Sequence, residues 1–341
     1  SEIASLTHRM RWRMFWEATD LRYTNREWFD MCSEAVGMLI SLCDSDETRF
    51  SDLIEAAPGC MPRDRERILK WAQEAVCNIE HKKGQAWYTL RRILNKHKQY
   101  PDTDWALRKD ELSPFEQLYS QLYPKDVLVR NVWLFNEDHR TQMIDPASAT
   151  PFEVDEYKEI EEQVAARRER AVAELVKELT LDRVLELRLE VKYPWYLGEA
   201  LAKVIKDEQD LQSVWLCLED DAPHIAFAHG FIYQKLRCED FSWMQALVQE
   251  LLEKGYSDKA VANALFPVRL GQELWRYVGS LGEGIQREYW LQISPYFNGL
   301  TDEEIMVCIN KLLHYRRFSS AVEVASYHGT HIPSDMLIDV L

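Results

Sequence analysis

Six basic side chains, with no acidic one among them, lie between residues 81 and 98. Lysine and arginine neutralise phosphates and release counterions, so a basic face on a helix could bind nucleic acid. It could equally contact acidic helices of the same chain, remain solvated, or bind a protein partner. The residues, called the basic stripe below, are Lys82, Lys83, Arg91, Arg92, Lys96 and Lys98.

Few other residue spacings in the sequence are typical of a metal-binding or catalytic site. Three pairs resemble metal-ligand spacings, but a zinc site needs three or four converging ligands and none of the pairs has a second half nearby. The pairs are Cys77 with His81, His224 with His229, and His328 with His331. The sequence contains no phosphate-binding GxxxxGK motif, no HExxH and no GxSxG. We therefore predict no catalytic residue, no cofactor and no metal.

Aromatic side chains are the second group of candidate binding residues. The chain has 12 Trp and 15 Tyr among 341 residues, and both types anchor protein interfaces when they are exposed. The alternative is that they belong to the core. The candidates for contact with a partner are Trp195, Tyr196, Trp275, Tyr289 and Trp290.

The elements that must position these groups are helices. Hydrophobic residues make up 46% of the chain, while Gly and Pro number only 12 each. This composition excludes a disordered chain and argues against a turn-dense β architecture. Apolar residues recur every three or four positions, and no alternating strand pattern is present. The sequence predicts an all-α fold.

The periodicity also predicts where the helices lie. Residues 136–151 lose it and contain two prolines, so we predict a boundary there. The predicted organisation is a less regular N-terminal helical subdomain over 1–136, a linker loop over 137–151 and a helix array over 152–341. The array opens with one long helix and ends with a short one, with helices over 152–179, 181–191, 195–206, 208–218, 222–236, 240–254, 257–265, 270–280, 285–292, 301–314, 318–328 and 334–341.

An internal match supports repetition within the array. Segments 251–264 and 312–325 agree at five positions, the pattern being Leu-Leu, a turn, then Ala-Val and a further Ala. This pattern resembles the helix-pair repeats of the tetratricopeptide and HEAT-like kinds over roughly residues 180–341. The regular tetratricopeptide signature, with its period of about 34 residues, is absent. The resemblance implies a right-handed array of antiparallel helix pairs, an α-solenoid, which is a binding scaffold without chemistry of its own.

Compartment and charge complete the prediction. Seven cysteines, an odd number without a CxxC, are typical of a reduced cytoplasmic protein. No leader and no long apolar run is visible, so we predict no membrane association. Residues 1–100 carry 16 Lys+Arg against 15 Asp+Glu, which leaves 25 against 42 in the remainder. The excess acid therefore belongs to the later part of the chain.

The functional prediction is a non-catalytic scaffold or regulatory region. The chain begins at Ser1 and ends inside the apparent helix 334–341, so we expect it to be part of a larger multidomain protein. The segment 124–135 resembles helical regions of large bacterial multidomain proteins. Its expected partner is a protein or another domain of the same polypeptide. The alternatives are a nucleic-acid-binding array that uses the basic stripe, and an enzyme with a site in a helical groove.

Overall fold

The structure, a computed structural model, describes residues 25–45, 49–76, 79–137, 145–147, 149, 157–205, 211–220, 224–294 and 299–328. Within these ranges it contains seventeen α-helices and no strand. The all-α prediction is therefore confirmed. Contacts between Cα atoms divide the chain into two compact units, Ser1–Arg167 and Arg168–Leu341. The predicted linker over 137–151 stays a prediction, because most of it lies outside the described residues.

The first unit is built around one helix that has neighbours on several sides. Its helices are α1 (Asn25–Ser45), α2 (Phe50–Ala56), α3 (Pro62–Val76), α4 (Glu80–Gln99), α5 (Lys109–Gln121) and α6 (Val127–Asn131), followed by the first half of α7 (Tyr157–Glu178). Helix α4 contacts α2, α3, α5 and α6. It therefore buries polar as well as apolar side chains, among them Trp87, Leu90, Arg91 and Asn95.

The second unit contains the rest of α7 and ten further helices in the described ranges. They are α8 (Leu181–Glu186), α9 (Pro194–Val204), α10 (Gln212–Leu216), α11 (His224–Cys238), α12 (Phe241–Glu253), α13 (Asp258–Leu265), α14 (Gln272–Ser280), α15 (Glu283–Gln292), α16 (Asp302–His314) and α17 (Phe318–His328). Helices alternate in their packing: α9 contacts α11, α11 contacts α13, and α13 contacts α15. The predicted last helix, 334–341, lies outside the described residues.

Two glycines allow a close contact between two helices of this unit. A Cβ atom placed on Gly198 of α9 would overlap the carbonyl oxygen of Phe227, and one on Gly230 of α11 would overlap the carbonyl oxygen of Trp195. Each overlap is with backbone, which a rotamer change cannot relieve. Because glycine has no Cβ, the two helix backbones can approach directly. Helices α9 and α11 therefore require glycine at both positions.

The internal sequence match corresponds to one turn that is built twice. Helix α12 ends before Gly255 at φ 76°, and α16 ends before Arg316 at φ 58°. The N–H of Tyr256 donates to the carbonyl of Leu251 at 3.0 Å, and the N–H of Arg317 donates to that of Leu312 at 2.8 Å. Both are Schellman turns, in which a left-handed residue ends the helix. The two segments therefore share a local conformation as well as residues.

Candidate functional site

The central residue of the basic stripe lies in the core of the first unit. Arg91 is fully buried, and its guanidinium carbon lies 3.8 Å from the ring centre of Trp133. Arg167 approaches the same ring at 5.3 Å. Burial, with a contribution from Arg167, lowers the pKa of Arg91 to about 9. Arg91 thus contacts groups of its own chain and presents no surface to a ligand.

Tyrosines and a second tryptophan extend this arrangement. Trp87 stacks on Tyr119 with ring centres 5.3 Å apart, and Trp133 meets the edge of Trp87 at 6.2 Å. The hydroxyl of Tyr88 donates to Glu137 at 2.8 Å. Burial raises the pKa of Tyr119 to about 12 and, together with the bond to Glu137, raises the pKa of Tyr88 to about 12. The cation–aromatic cluster comprises Arg91, Arg167, Trp133, Trp87, Tyr88 and Tyr119.

Three of the other stripe residues also contact groups of their own unit. Arg92, with a side chain 41% exposed, lies 3.6 Å from Glu55. Lys98 contacts Glu116 at 2.7 Å and donates to the carbonyl of Pro146 at 2.6 Å. Lys96 is exposed and lies 4.9 Å from the ring centre of Trp105. Lys82 and Lys83 are half-buried. The stripe is therefore dispersed over several internal contacts.

The structure separates the five candidate aromatic residues into two groups. Trp195 and Tyr196 are half-buried, and Arg168 lies 3.6 Å above the ring of Tyr196. The remaining three are buried with exposed fractions of at most 7%, which makes them core residues and corrects the expectation of exposed contact points. They are Trp275, Tyr289 and Trp290. Their rings pack on one another because each large apolar surface is removed from water.

An open cleft in the second unit is a better candidate for binding. It has a volume of about 790 Å³. Its walls are the end of α11 and the start of α12 (233–241), the connection from α13 into α14 (267–274), and the start of α16 (299–304). Five carboxylates and two guanidiniums line it. The carboxylates are those of Glu239, Asp240, Glu273, Glu303 and Glu304, and the guanidiniums are those of Arg237 and Arg269.

Two of the five carboxylates cap helices. The side chain of Asp240 accepts a hydrogen bond from the N–H of Ser242 at 2.9 Å. Glu304 accepts from the N–H of Thr301 at 2.9 Å and from the N–H of Gln272 at 3.0 Å. The Ser242 hydroxyl, followed by its N–H, holds the pKa of Asp240 below its usual range, and the N–H groups of Thr301 and Gln272 do so for Glu304. The helix N-termini at the cleft therefore already hold carboxylates.

The other three carboxylates have no such role. The side chains of Glu239, Glu273 and Glu303 are exposed and make no hydrogen bond or ion pair with any residue that the structure describes. The two arginines are near carboxylates of their own unit: Arg237 lies 3.9 Å from Glu199, and the charge of Arg269 contributes to the low pKa of Glu304. The cleft thus has negative charge that is not neutralised locally.

The described ranges contain neither a metal-binding cluster nor a membrane-spanning helix. No group of three His, Cys, Asp or Glu side chains there could hold a metal ion. None of the described helices is both long and apolar enough to cross a bilayer. No family model, curated protein or solved structure matches the chain.

The cleft was not predicted from the sequence. Its walls come from three segments about thirty residues apart along the chain, and each looks ordinary by itself. Thr301 and Glu304 form a capping box, and their spacing of three residues is the sequence pattern typical of one. The second bond of Glu304, to Gln272, needs the helices to be folded together. Sequence periodicity contains no signal for it.

Proposed function

We propose that the protein is an interaction scaffold and that the cleft is where its second unit contacts a partner. The observation that carries the proposal is an open cavity of about 790 Å³ formed where three interhelical connections meet. Its size falls within the range of sites that bind peptides and small molecules. Connections between packed helices are common positions for such sites, because the helices hold them in place.

The proposed scaffold is an α-solenoid-like array of antiparallel helix pairs over the second unit. Three features support it: the contacts between alternate helices, the glycine-mediated contact of α9 with α11, and the repeated Schellman turn. Each helix of such an array buries its apolar stripe against its neighbours, which leaves connections and grooves available to a partner. The partner would be a protein or another domain of the same polypeptide.

A cytoplasmic location is part of the proposal. Six cysteines in the described ranges are free thiols, and three of them are buried. Reduced cysteines are usual where glutathione and thioredoxin maintain a reducing environment. The two alternatives, a nucleic-acid-binding array and an enzyme, stay predictions. Burial of Arg91 and the contacts of Lys98 give the nucleic-acid alternative no support.

Site-specific photo-crosslinking tests the proposal. Tyr233, which lines the cleft and is 38% exposed, would be replaced by p-benzoylphenylalanine. The control position is Leu189, which is 56% exposed and does not line the cleft. After irradiation in cells, mass spectrometry should map one defined partner peptide to position 233 and not to 189. Equal products at both positions, or none at 233, would contradict the cleft as the contact surface.

A further inference from the structure

We infer that the occupant of the cleft is a basic peptide segment of a partner protein, bound through its lysine or arginine side chains. The inference rests on the proposed function, since it names the chemistry of the partner at that same surface. Three independent features of the cleft support it: its charge balance, the state of its helix N-termini, and its size together with its exposed ring.

The charge balance favours a cationic occupant. Three carboxylates, those of Glu239, Glu273 and Glu303, have no partner among the described residues, whereas both arginines lie close to carboxylates of their own unit. A positively charged segment would complete ion pairs that the fold leaves open. Each exposed pair is weak by itself, but complementary charge around one site speeds association and selects partners.

The helix N-termini at the cleft argue against an anionic occupant. Free N–H groups at a helix start commonly bind phosphate or other anions. Here the N–H groups of Ser242, Thr301 and Gln272 donate to the carboxylates of Asp240 and Glu304. An anionic ligand would have to displace these carboxylates and would also meet the three unpaired glutamates. A nucleic-acid backbone therefore does not suit this site.

The size and apolar part of the cleft favour a peptide over a small cation. A single ammonium group or a metal ion would fill little of a cavity of about 790 Å³. The lining includes Phe241, Pro267 and Val268, which offer apolar contact to the stems of long side chains. Tyr233 adds an exposed ring, and a cation over such a ring gains further attraction. A segment that combines basic and apolar side chains matches this surface.

Fluorescence anisotropy with defined probes tests the inference. The probe is a fluorescein-labelled octapeptide of three arginines, two leucines and three glycines, and its counterpart carries glutamate in place of arginine. Unlabelled spermine serves as a competitor, because it represents a small polycation. The cleft variant combines Glu239→Gln, Glu273→Gln and Glu303→Gln. The control variant, Asp182→Asn with Glu283→Gln and Glu323→Gln, makes the same change in charge at residues that do not line the cleft.

The expected result is binding of the arginine peptide that weakens about tenfold in the cleft variant and less than twofold in the control variant. Binding should also weaken with added salt, since the charges are exposed. Equal weakening by both variants, equal binding of the glutamate peptide, or competition by spermine as effective as by unlabelled peptide would overturn the inference. Circular dichroism of both variants shows whether each has folded.

Failure here is distinguishable from failure of the proposed function. If position 233 captures a partner whose mapped segment is neutral or acidic, the scaffold proposal stands and the inference of a basic segment is wrong. If the arginine peptide binds through the cleft but no partner is captured at position 233, the chemistry of the cleft stands and the proposed scaffold role loses its support.

Discussion

The cation–aromatic cluster of the first unit and the acidic cleft of the second unit use charge in opposite ways. In the cluster, a desolvated guanidinium is packed against Trp133, and its pKa is lowered by burial. In the cleft, Glu239, Glu273 and Glu303 are exposed and unpaired among the described residues. A buried charge has to be compensated within the fold, whereas an exposed one need not be. Arg91 is therefore enclosed by groups of its own unit, whereas the three glutamates lie at the surface.

The largest change in the free energy of unfolding is expected from the packing of α9 against α11 in the second unit. Gly230→Ala should destabilise the protein by about 3 kcal/mol, because its Cβ would force α9 and α11 apart. The control is Gly279→Ala in α14, where a Cβ meets no atom within 4 Å; it should stabilise by about 0.5 kcal/mol. Urea unfolding measures both changes. Hydrogen exchange should show the loss in peptides of 168–341, and a uniform loss over peptides of both units would contradict a packing effect centred on α9 and α11.

A slightly smaller loss of unfolding free energy is expected from substitution in the cation–aromatic cluster. Arg91→Ala should lose about 2.5 kcal/mol of unfolding free energy, since it removes the contact with Trp133 and leaves a cavity. Arg91→Met should lose less, because methionine refills the volume without a buried charge. Arg92→Ala is the matched control, and its exposed pair with Glu55 predicts a change within about 0.5 kcal/mol. Equal losses at both arginines would remove the distinction between buried and exposed stripe residues.

Acid should weaken the second unit through one histidine. Burial lowers the pKa of His229 to about 4, although its Nε2–H donates to the carbonyl of Asn263 at 2.8 Å. The unfolded chain binds the proton near pH 6.5, so stability is full above that pH and falls as pH drops towards 4. The histidine contribution between pH 7 and pH 5 is about 2 kcal/mol. His229→Gln should remove this part of the pH dependence, and an unchanged pH profile in urea unfolding would exclude it.

Glu303 and Glu304 are neighbours in the cleft, but only Glu304 caps helices, so their substitutions should differ in their effect on stability. Glu304→Ala should lose about 1.5 kcal/mol, because it leaves the N–H groups of Thr301 and Gln272 without their acceptor. Glu303→Ala should change stability by less than about 0.5 kcal/mol, because its side chain has no partner in the described part of the chain. Thermal unfolding of the two variants gives the comparison. Similar losses would mean that Glu303 is also used by the fold.

The smallest changes in the free energy of unfolding are expected in the repeated Schellman turn. Arg316 adopts φ 58°, a conformation that glycine adopts without steric cost. Arg316→Gly should therefore stabilise by about 0.5 kcal/mol, while Gly255→Ala at the matching position should destabilise by about 1 kcal/mol. Urea unfolding measures both changes in stability. Changes of opposite sign would support a shared turn conformation, and changes of equal sign would argue that the two positions differ in backbone conformation.

Much of the helical framework was predictable because its signals are local. The predicted helix over 240–254 corresponds to α12, Phe241–Glu253, and the one over 301–314 corresponds to α16, Asp302–His314. Helix α2 has only seven residues, which are too few to establish a period in the sequence. Helix α5 begins at Lys109 and contains Pro114. There the buried Leu112 and the pairing of Glu111 with Arg65 stabilise the first turn.

The sequence by itself determined the all-α class, most helix positions and the uneven distribution of charge. These depend on spacing along the chain and on caps such as Thr301 with Glu304. Only the tertiary structure decided that Arg91 is buried, that Tyr289 and Trp290 are core residues, and that three separate segments line one cleft. The physical reason is that helical periodicity identifies which residues share a face. What covers that face depends on neighbours that are distant in sequence.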